Sequence, residues 1–153
     1  MSTEYFVTAL YFIDFKYVQL YNVNMKEIII DSTCILGFLL NRKSKDFVQK
    51  KVGTARLVAP DCLPCEVGNA ISKLVKKGLI TIVDGVAVYH EFARIPIRFM
   101  EPDIPNSIVI AGESGCGAYE AYYISLAKQL SLPLFTMNEN MKEIAISRGV
   151  KCL

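Results

Sequence analysis

Three carboxylates and one carboxamide stand where apolar runs give way to helical patterns: Asp31, Glu66, Glu120 and Asn138. In an open parallel sheet, loops and helix N-termini converge beyond the carboxyl ends of the strands, and ligands bind there. Carboxylates gathered in a partly buried cleft repel one another, so Asp31, Glu66 and Glu120 must take up protons or share a cation. A hard divalent ion, Mg2+ or Mn2+, is the natural partner, because carboxylate, carbonyl and water oxygens are its preferred ligands. Each residue alone has a plainer use. Asp31 and Asn138 suit helix N-caps, and Glu66 and Glu120 suit the positive end of a helix dipole. The convergence of all four on one crevice is what points to a shared site.

Other groups carry weaker signals. Cys62-Leu-Pro-Cys65 is a pair that binds zinc or exchanges thiols in suitable surroundings, but His90 and one distant cysteine are a poor supply of further zinc ligands. Helix-start thiols are the expected reading, with a local disulfide as the alternative. Gly112 to Gly117 matches the first six residues of a phosphate-binding loop. Ala118 and Tyr119 then stand where that loop needs Lys and Ser or Thr, so nucleotide binding is rejected. His90, the single histidine, has no Ser or Cys partner and is read as filler. Tyr119, Tyr122 and Tyr123 are candidates for stacking on bases, with core packing as the default.

These side chains need a scaffold, and the chain is long enough to supply one. Its 153 residues, 52% apolar, make a single domain that hides about two-thirds of its unfolded surface without disulfides or structural metal. The formal charge of +2 excludes a nucleic-acid binder that works by bulk field alone. Five cysteines without a regular, even-numbered framework favour a reducing, cytoplasmic setting. Residues 1–24 form an aromatic-rich extension. Asp14 and Lys16 interrupt it well short of the ~20 apolar residues of a membrane span, so it is read as soluble chain or as a contact surface between subunits, one the domain does not need.

From Lys26 the pattern alternates strand and helix, which predicts an α/β fold with a mainly parallel sheet between two helical layers. Glu27–Ile30 reads as a buried strand opening into a helix at Asp31. Ser44–Lys51 is a charged helix, and Arg56–Ala59 a short strand. Asp61 is expected to cap a helix running to Lys77, and Leu79–Arg94 is assigned as helix despite Gly85. Ile97–Met100 is a strand and Asn106–Ala111 starts a helix. A helix over Gly117–Leu130, a strand over Leu134–Thr136, a helix over Asn138–Ser147 and an edge strand over Val150–Cys152 complete the expectation.

Over residues 25–153 the sequence resembles a PIN domain of the VapC-like toxin type, the ribonuclease half of toxin-antitoxin modules. Ile28-Ile-Ile-Asp31-Ser-Thr33 resembles the family's apolar strand ending in Asp-Ser/Thr, and Glu66-Val-Gly-Asn69-Ala70-Ile71 its Glu-x-x-Asn-x-hydrophobic helix. Ala118-Tyr-Glu120-Ala-Tyr-Tyr123 with Leu126-Ala127 stands where the family usually reads Ala-Tyr-Asp-Ala-x-Tyr-x-x-Leu-Ala. Leu132-Pro-Leu-Phe-Thr136-Met-Asn138 stands where it reads Leu-Pro-Leu-Val-Thr-x-Asp. The resemblance implies an α/β/α sandwich and a Mg2+- or Mn2+-dependent endoribonuclease, with Asp31, Glu66 and Glu120 as metal ligands and Asn138 as the fourth catalytic position. Ser32 and Asn69 would orient the carboxylates or reach the phosphate. RNA is then the substrate, a cognate antitoxin protein the partner, and a homodimer the expected assembly. Glu120 keeps the charge of the usual Asp, whereas Asn138 loses one charge, so one well-held cation and a weak second are expected, with Glu139 as a possible substitute. The alternative is a catalytically weakened PIN-like domain that binds RNA or a protein. Arg42, Lys43, Lys45, Lys73, Lys76 and Lys77 are the candidates for holding phosphates around the cleft.

Overall fold

The computed structural model describes residues 26–153; the aromatic extension assigned to residues 1–24 lies outside the described residues. Strand β1, Glu27–Ile30, is an unbroken apolar run after its first residue. Such a run suits a strand covered on both faces, and Ile28, Ile29 and Ile30 are all buried. β1 pairs in parallel with β2, Arg56–Pro60, in the register Ile28 to Leu57 and Ile29 to Val58. On its other side it pairs in parallel with β4, Leu134–Phe135, through Ile29 with Leu134 and Ile30 with Phe135. Strand β3, Ile97–Met100, adds beyond β2, giving the four-stranded order β3-β2-β1-β4.

Parallel strands need crossovers, and seven helices among the described residues provide them. Helices α1, Ser32–Leu40, and α2, Arg42–Val52, link β1 to β2; α3, Leu63–Lys76, and α4, Ile82–Ala93, link β2 to β3. Helices α5, Ile104–Ser114, and α6, Ala118–Leu130, carry the chain back across the sheet to β4, and α7, Glu139–Ser147, follows it. The architecture is the expected three-layer α/β/α sandwich. Its core joins the sheet to Cys34 and Ile35 of α1, Leu63, Val67 and Ile71 of α3, and the buried face of α6 from Ala121 to Ala127.

Strand order fixes where a site can form. The chain lays β1, β2 and β3 outward in one direction and then jumps back to place β4 on the opposite flank of β1. Successive crossovers therefore part company between β1 and β4, and a crevice opens beyond the carboxyl ends of these two strands. The residues that follow them are Asp31 and Thr136.

Local chemistry explains most boundaries. Thr81 and Asp84 form a reciprocal capping box at the start of α4, with Asp84 N–H donating to Thr81 Oγ1 at 3.1 Å and Thr81 N–H donating to Asp84 Oδ2 at 3.2 Å. Gly85 inside α4 has a packing reason: a Cβ there would lie 3.0 Å from Val75 Cγ2 and 3.1 Å from Ile71 Cγ2, so its absence lets α4 close on α3. Two expectations are corrected. Asp61 does not cap α3; Cys62 takes the cap position with no side-chain cap bond, and the helix starts at Leu63. The chain end adds one bridge, Leu134 to Cys152, rather than a strand, because β4 itself is only two residues long.

Candidate active site

The crevice at the strand switch is a cleft of about 120 Å³ lined by Asp31, Ser32, Thr33, Glu66, Tyr119, Glu120, Tyr123, Asn138 and Met141. It brings together the four expected catalytic positions and Ser32. Asn69 is not brought in: it lies on the exposed side of α3 and does not line the cleft. Glu139 is exposed and outside it as well, as expected for a helical neighbour of Asn138. Lys43, Lys45, Lys73, Lys76 and Lys77 do not line the cleft, and no described basic side chain does.

Asp31 is the centre of the arrangement and only 1% exposed. It caps α1, its Oδ1 accepting from Cys34 N–H at 3.0 Å, so the plain reading of this residue is also true. Thr33 Oγ1 lies 2.8 Å from each carboxylate oxygen, and Thr136 Oγ1 donates to Oδ2 at 2.7 Å. Both hydroxyls are held as donors, because each accepts a backbone N–H from the loop after β4: Met137 N–H to Thr33 at 3.1 Å and Asn138 N–H to Thr136 at 2.9 Å. Two relays thus run from that loop through a hydroxyl to one carboxylate. Burial pushes the Asp31 carboxyl above its usual range, opposed by the donors on it.

Glu66 enters from the first turn of α3. Its Oε1 accepts the Tyr123 hydroxyl at 3.0 Å and the Cys62 thiol at 3.5 Å, and its Oε2 accepts the Ser32 hydroxyl at 3.1 Å. Burial again raises the carboxyl pKa; the Tyr123, Ser32 and Cys62 donors oppose the rise, and the charge of Asp31 adds to it. Tyr123, 2% exposed, is therefore both core and site: its ring packs inside and its hydroxyl, kept protonated by burial and by Glu66, orients that carboxylate.

Glu120 and Asn138 hold each other. Glu120 Oε2 turns back to accept Gly117 N–H at 2.8 Å, and Oε1 accepts the Asn138 carboxamide nitrogen at 2.8 Å. The Asn138 oxygen accepts Met141 N–H at 3.1 Å and caps α7. These partners leave one orientation for the amide: the backbone donor requires the oxygen and the carboxylate requires the nitrogen. The oxygen that a neutral ligand would offer is thus turned away from Glu120. Tyr119 forms the lip, half exposed, with its ring edge-on to Tyr122 at 5.8 Å between centroids.

In kind, this donor set fits a hard divalent cation: three carboxylates line one small cleft, and none of the ion pairs among the described residues, which are Arg94–Glu91, Arg98–Glu27 and Arg148–Glu113, reaches any of the three. In arrangement it is not closed around one, since among the described residues no three His, Cys, Asp or Glu side chains are grouped closely enough to hold a metal ion. Sequence reasoning missed Thr33, Thr136 and the Tyr123 hydroxyl as parts of the site. The signal for Thr136 was its place at the end of the strand flanking β1, across the switch from Asp31.

Fold and cleft define the class: an α/β/α sandwich with an acidic crevice at its strand switch. In fold the chain is similar to the crystal structure of PAE2754 from Pyrobaculum aerophilum, with a TM-score of 0.63, 18% identity, and coverage of 84% of this chain and 91% of that one. At that identity the likeness carries the fold alone. No family model matches the chain, and no curated protein matches it. Among the described residues, no helix is long and apolar enough to cross a membrane.

Proposed function

We propose that the cleft hydrolyses phosphodiester bonds in RNA with the help of Mg2+ or Mn2+, as the PIN-like sequence motifs suggest. The observation that carries this reading is the gathering of Asp31, Glu66 and Glu120 in one cleft that, among the described residues, no cationic side chain lines. Such a charge set is costly unless a cation or a proton offsets it. Asp31, Glu66 and Glu120 would hold the ion, which supplies charge opposite the phosphate and lowers the pKa of water.

The chain's own groups have separate tasks. Thr33 and Thr136 fix the Asp31 carboxylate through the two loop relays. Tyr123 and Ser32 fix Glu66 from opposite oxygens. Tyr119 at the lip offers an exposed ring on which a base can stack, and stacking suits a substrate read without regard to sequence. A toxin neutralised by an antitoxin protein, working in the cytoplasm as a homodimer, belongs to the same reading.

A second reading is favoured by one feature: Glu120 is tied to Asn138 rather than free for an ion, which suits a weakened domain that binds RNA or a protein without cutting. Incubation of the protein with single-stranded RNA and, in separate arms, Mg2+ and Mn2+, beside Asp31→Asn with its fold checked by circular dichroism, decides between them. Cleavage that Asp31→Asn abolishes supports the hydrolase. RNA retention without cleavage under either ion replaces it with the binding module.

A further inference from the structure

Cys62 and Cys65 stand on the first turn of α3, beside Glu66 but with no assigned role. Cys62 has right-handed helical backbone, φ −78° and ψ −13°, although it is the cap, and Glu66 N–H closes the turn on Cys62 C=O at 3.1 Å. The two cysteines are therefore joined by one continuous helical turn. Residues three apart on such a turn have Cβ atoms about 5–6 Å apart, and a disulfide brings them to about 3.5–4.5 Å. A tightening of the backbone at the helix end covers the difference, and rotation about each Cα–Cβ bond then brings the sulfurs together. Pro64 lies within this turn and has no N–H to lose when the turn tightens.

The two thiols differ in access and surroundings, and burial and the charge of Glu66 push the Cys62 thiol up to about 12, which makes its attack the slower step. Cys65 is exposed and can reach a disulfide in solution, whereas Cys62 is partly buried and its thiol donates to Glu66 Oε1 at 3.5 Å. Zinc is a poor alternative, since among the described residues no third His, Cys, Asp or Glu joins them in a metal-holding group. The other cysteines are placed differently: Cys34 is fully buried with its thiol on Phe135 C=O, Cys116 lies in the loop between α5 and α6, and Cys152 forms the isolated bridge to Leu134.

We propose that Cys62 and Cys65 form a reversible dithiol-disulfide pair, oxidised by low-molecular-weight disulfides such as that of glutathione, whose state reaches the cleft through the hydrogen bond from Cys62 to Glu66. In the first step the Cys65 thiolate attacks one sulfur of the glutathione disulfide; its S–S bond breaks, a mixed disulfide forms on Cys65 and one glutathione thiolate leaves. Cys62 then gives its proton to solvent and attacks Cys65 Sγ, the protein disulfide forms, and the second glutathione leaves. Two electrons pass from the protein thiols to glutathione. Cys62 then has no S–H, and Glu66 Oε1 keeps the Tyr123 hydroxyl as its donor. This chemistry stands whether or not the cleft cuts RNA.

The test equilibrates the full chain with glutathione buffers of graded ratio, quenches in acid, alkylates under denaturing conditions and maps the thiols by mass spectrometry. The expected result is a concerted fall from five free thiols by two, both mapping to Cys62 and Cys65 and restored by dithiothreitol. Cys62→Ser should stop at a glutathione adduct on Cys65, and Cys65→Ser should leave Cys62 alkylatable. In a carbon-13 spectrum the Glu66 side-chain carboxyl signal should move on oxidation while that of Glu120 does not. The proposal is overturned if Cys62 stays alkylatable in the unaltered protein at every ratio, if only an adduct on Cys65 forms there, or if the disulfide forms and the Glu66 signal stays in place.

Discussion

The carboxamide nitrogen of Asn138 donates to Oε1 of Glu120 across 2.8 Å while its oxygen caps α7, so one neutral side chain both starts a helix and restrains a cleft carboxylate. An aspartate at this position keeps the cap, because Asp and Asn serve equally well there. It loses the donor to Glu120 and sets a second negative charge against it. Asn138→Asp is therefore expected to lower stability without divalent ions by about 1–2 kcal/mol. Mn2+ should reverse the loss and bind more tightly than to the unaltered protein, with RNA cleavage rising in step. Thermal unfolding with and without Mn2+ checks the first part and a cleavage assay the second. A variant as stable as the parent without ions would mean that the two side chains do not press on each other.

Asp31 is held by the β4 loop through Thr136, and the link can be cut without changing shape. Thr136→Val removes the donor on Asp31 Oδ2 and leaves Asn138 N–H without its acceptor. An orphaned, largely buried donor costs about 1–3 kcal/mol, so urea unfolding should show a loss of that size. Thr33→Val should behave similarly, since it orphans Met137 N–H in the same way. If both variants unfold like the parent, the relays do not stabilise the loop.

How much of this was legible in the sequence depends on the scale of the interaction. The Ile28–Ile30 run announces a buried parallel strand because burial on both faces removes the alternation of a half-exposed one, and Asp31, Glu66, Glu120 and Asn138 do share one cleft. The cap of α3 was misassigned because Asp61 has the favoured chemistry but Cys62 already has helical backbone. Asn69 sits one turn beyond Glu66, yet its side of α3 faces solvent, which spacing along a motif does not reveal. The threonine relays join β4 to β1 across 104 and 105 residues, a pairing set by strand order and not by any local pattern.

Titration separates a carboxylate strained by burial from one at ease. Folding raises the Asp31 pKa from 3.8 and the Glu66 pKa from 4.5, so between these values and the raised ones the folded state binds more protons than the unfolded. Stability from this source is fully present below the unfolded values and is lost as pH rises through the folded ones. Unfolding free energy in the absence of divalent ions should thus fall as pH climbs from the acid range toward neutrality. Glu66→Gln removes one of the two groups while Oε1 still accepts from Tyr123 and the new amide donates to Ser32 Oγ. Its pH slope should be shallower, and at neutral pH it should be within about 1 kcal/mol of the parent or more stable. A slope unchanged in Glu66→Gln would assign the whole effect to Asp31.

Tyr123 tests whether the site restrains the core or the core restrains the site. Its ring is 2% exposed and its hydroxyl reaches Glu66 Oε1 at 3.0 Å. Tyr123→Phe keeps the ring in place and removes that donor alone. The carboxylate then keeps Ser32 on one oxygen and the weak Cys62 thiol on the other, and a charge-assisted bond of this kind contributes about 1.5–3 kcal/mol. Because the donor favours the ionised carboxyl, its removal should move the Glu66 titration to still higher pH, in addition to a loss of stability at neutral pH. Carbon-13 titration of the Glu66 carboxyl and urea unfolding of Tyr123→Phe measure the two effects separately. A stability loss with no movement of the Glu66 titration would mean that the hydroxyl serves packing alone.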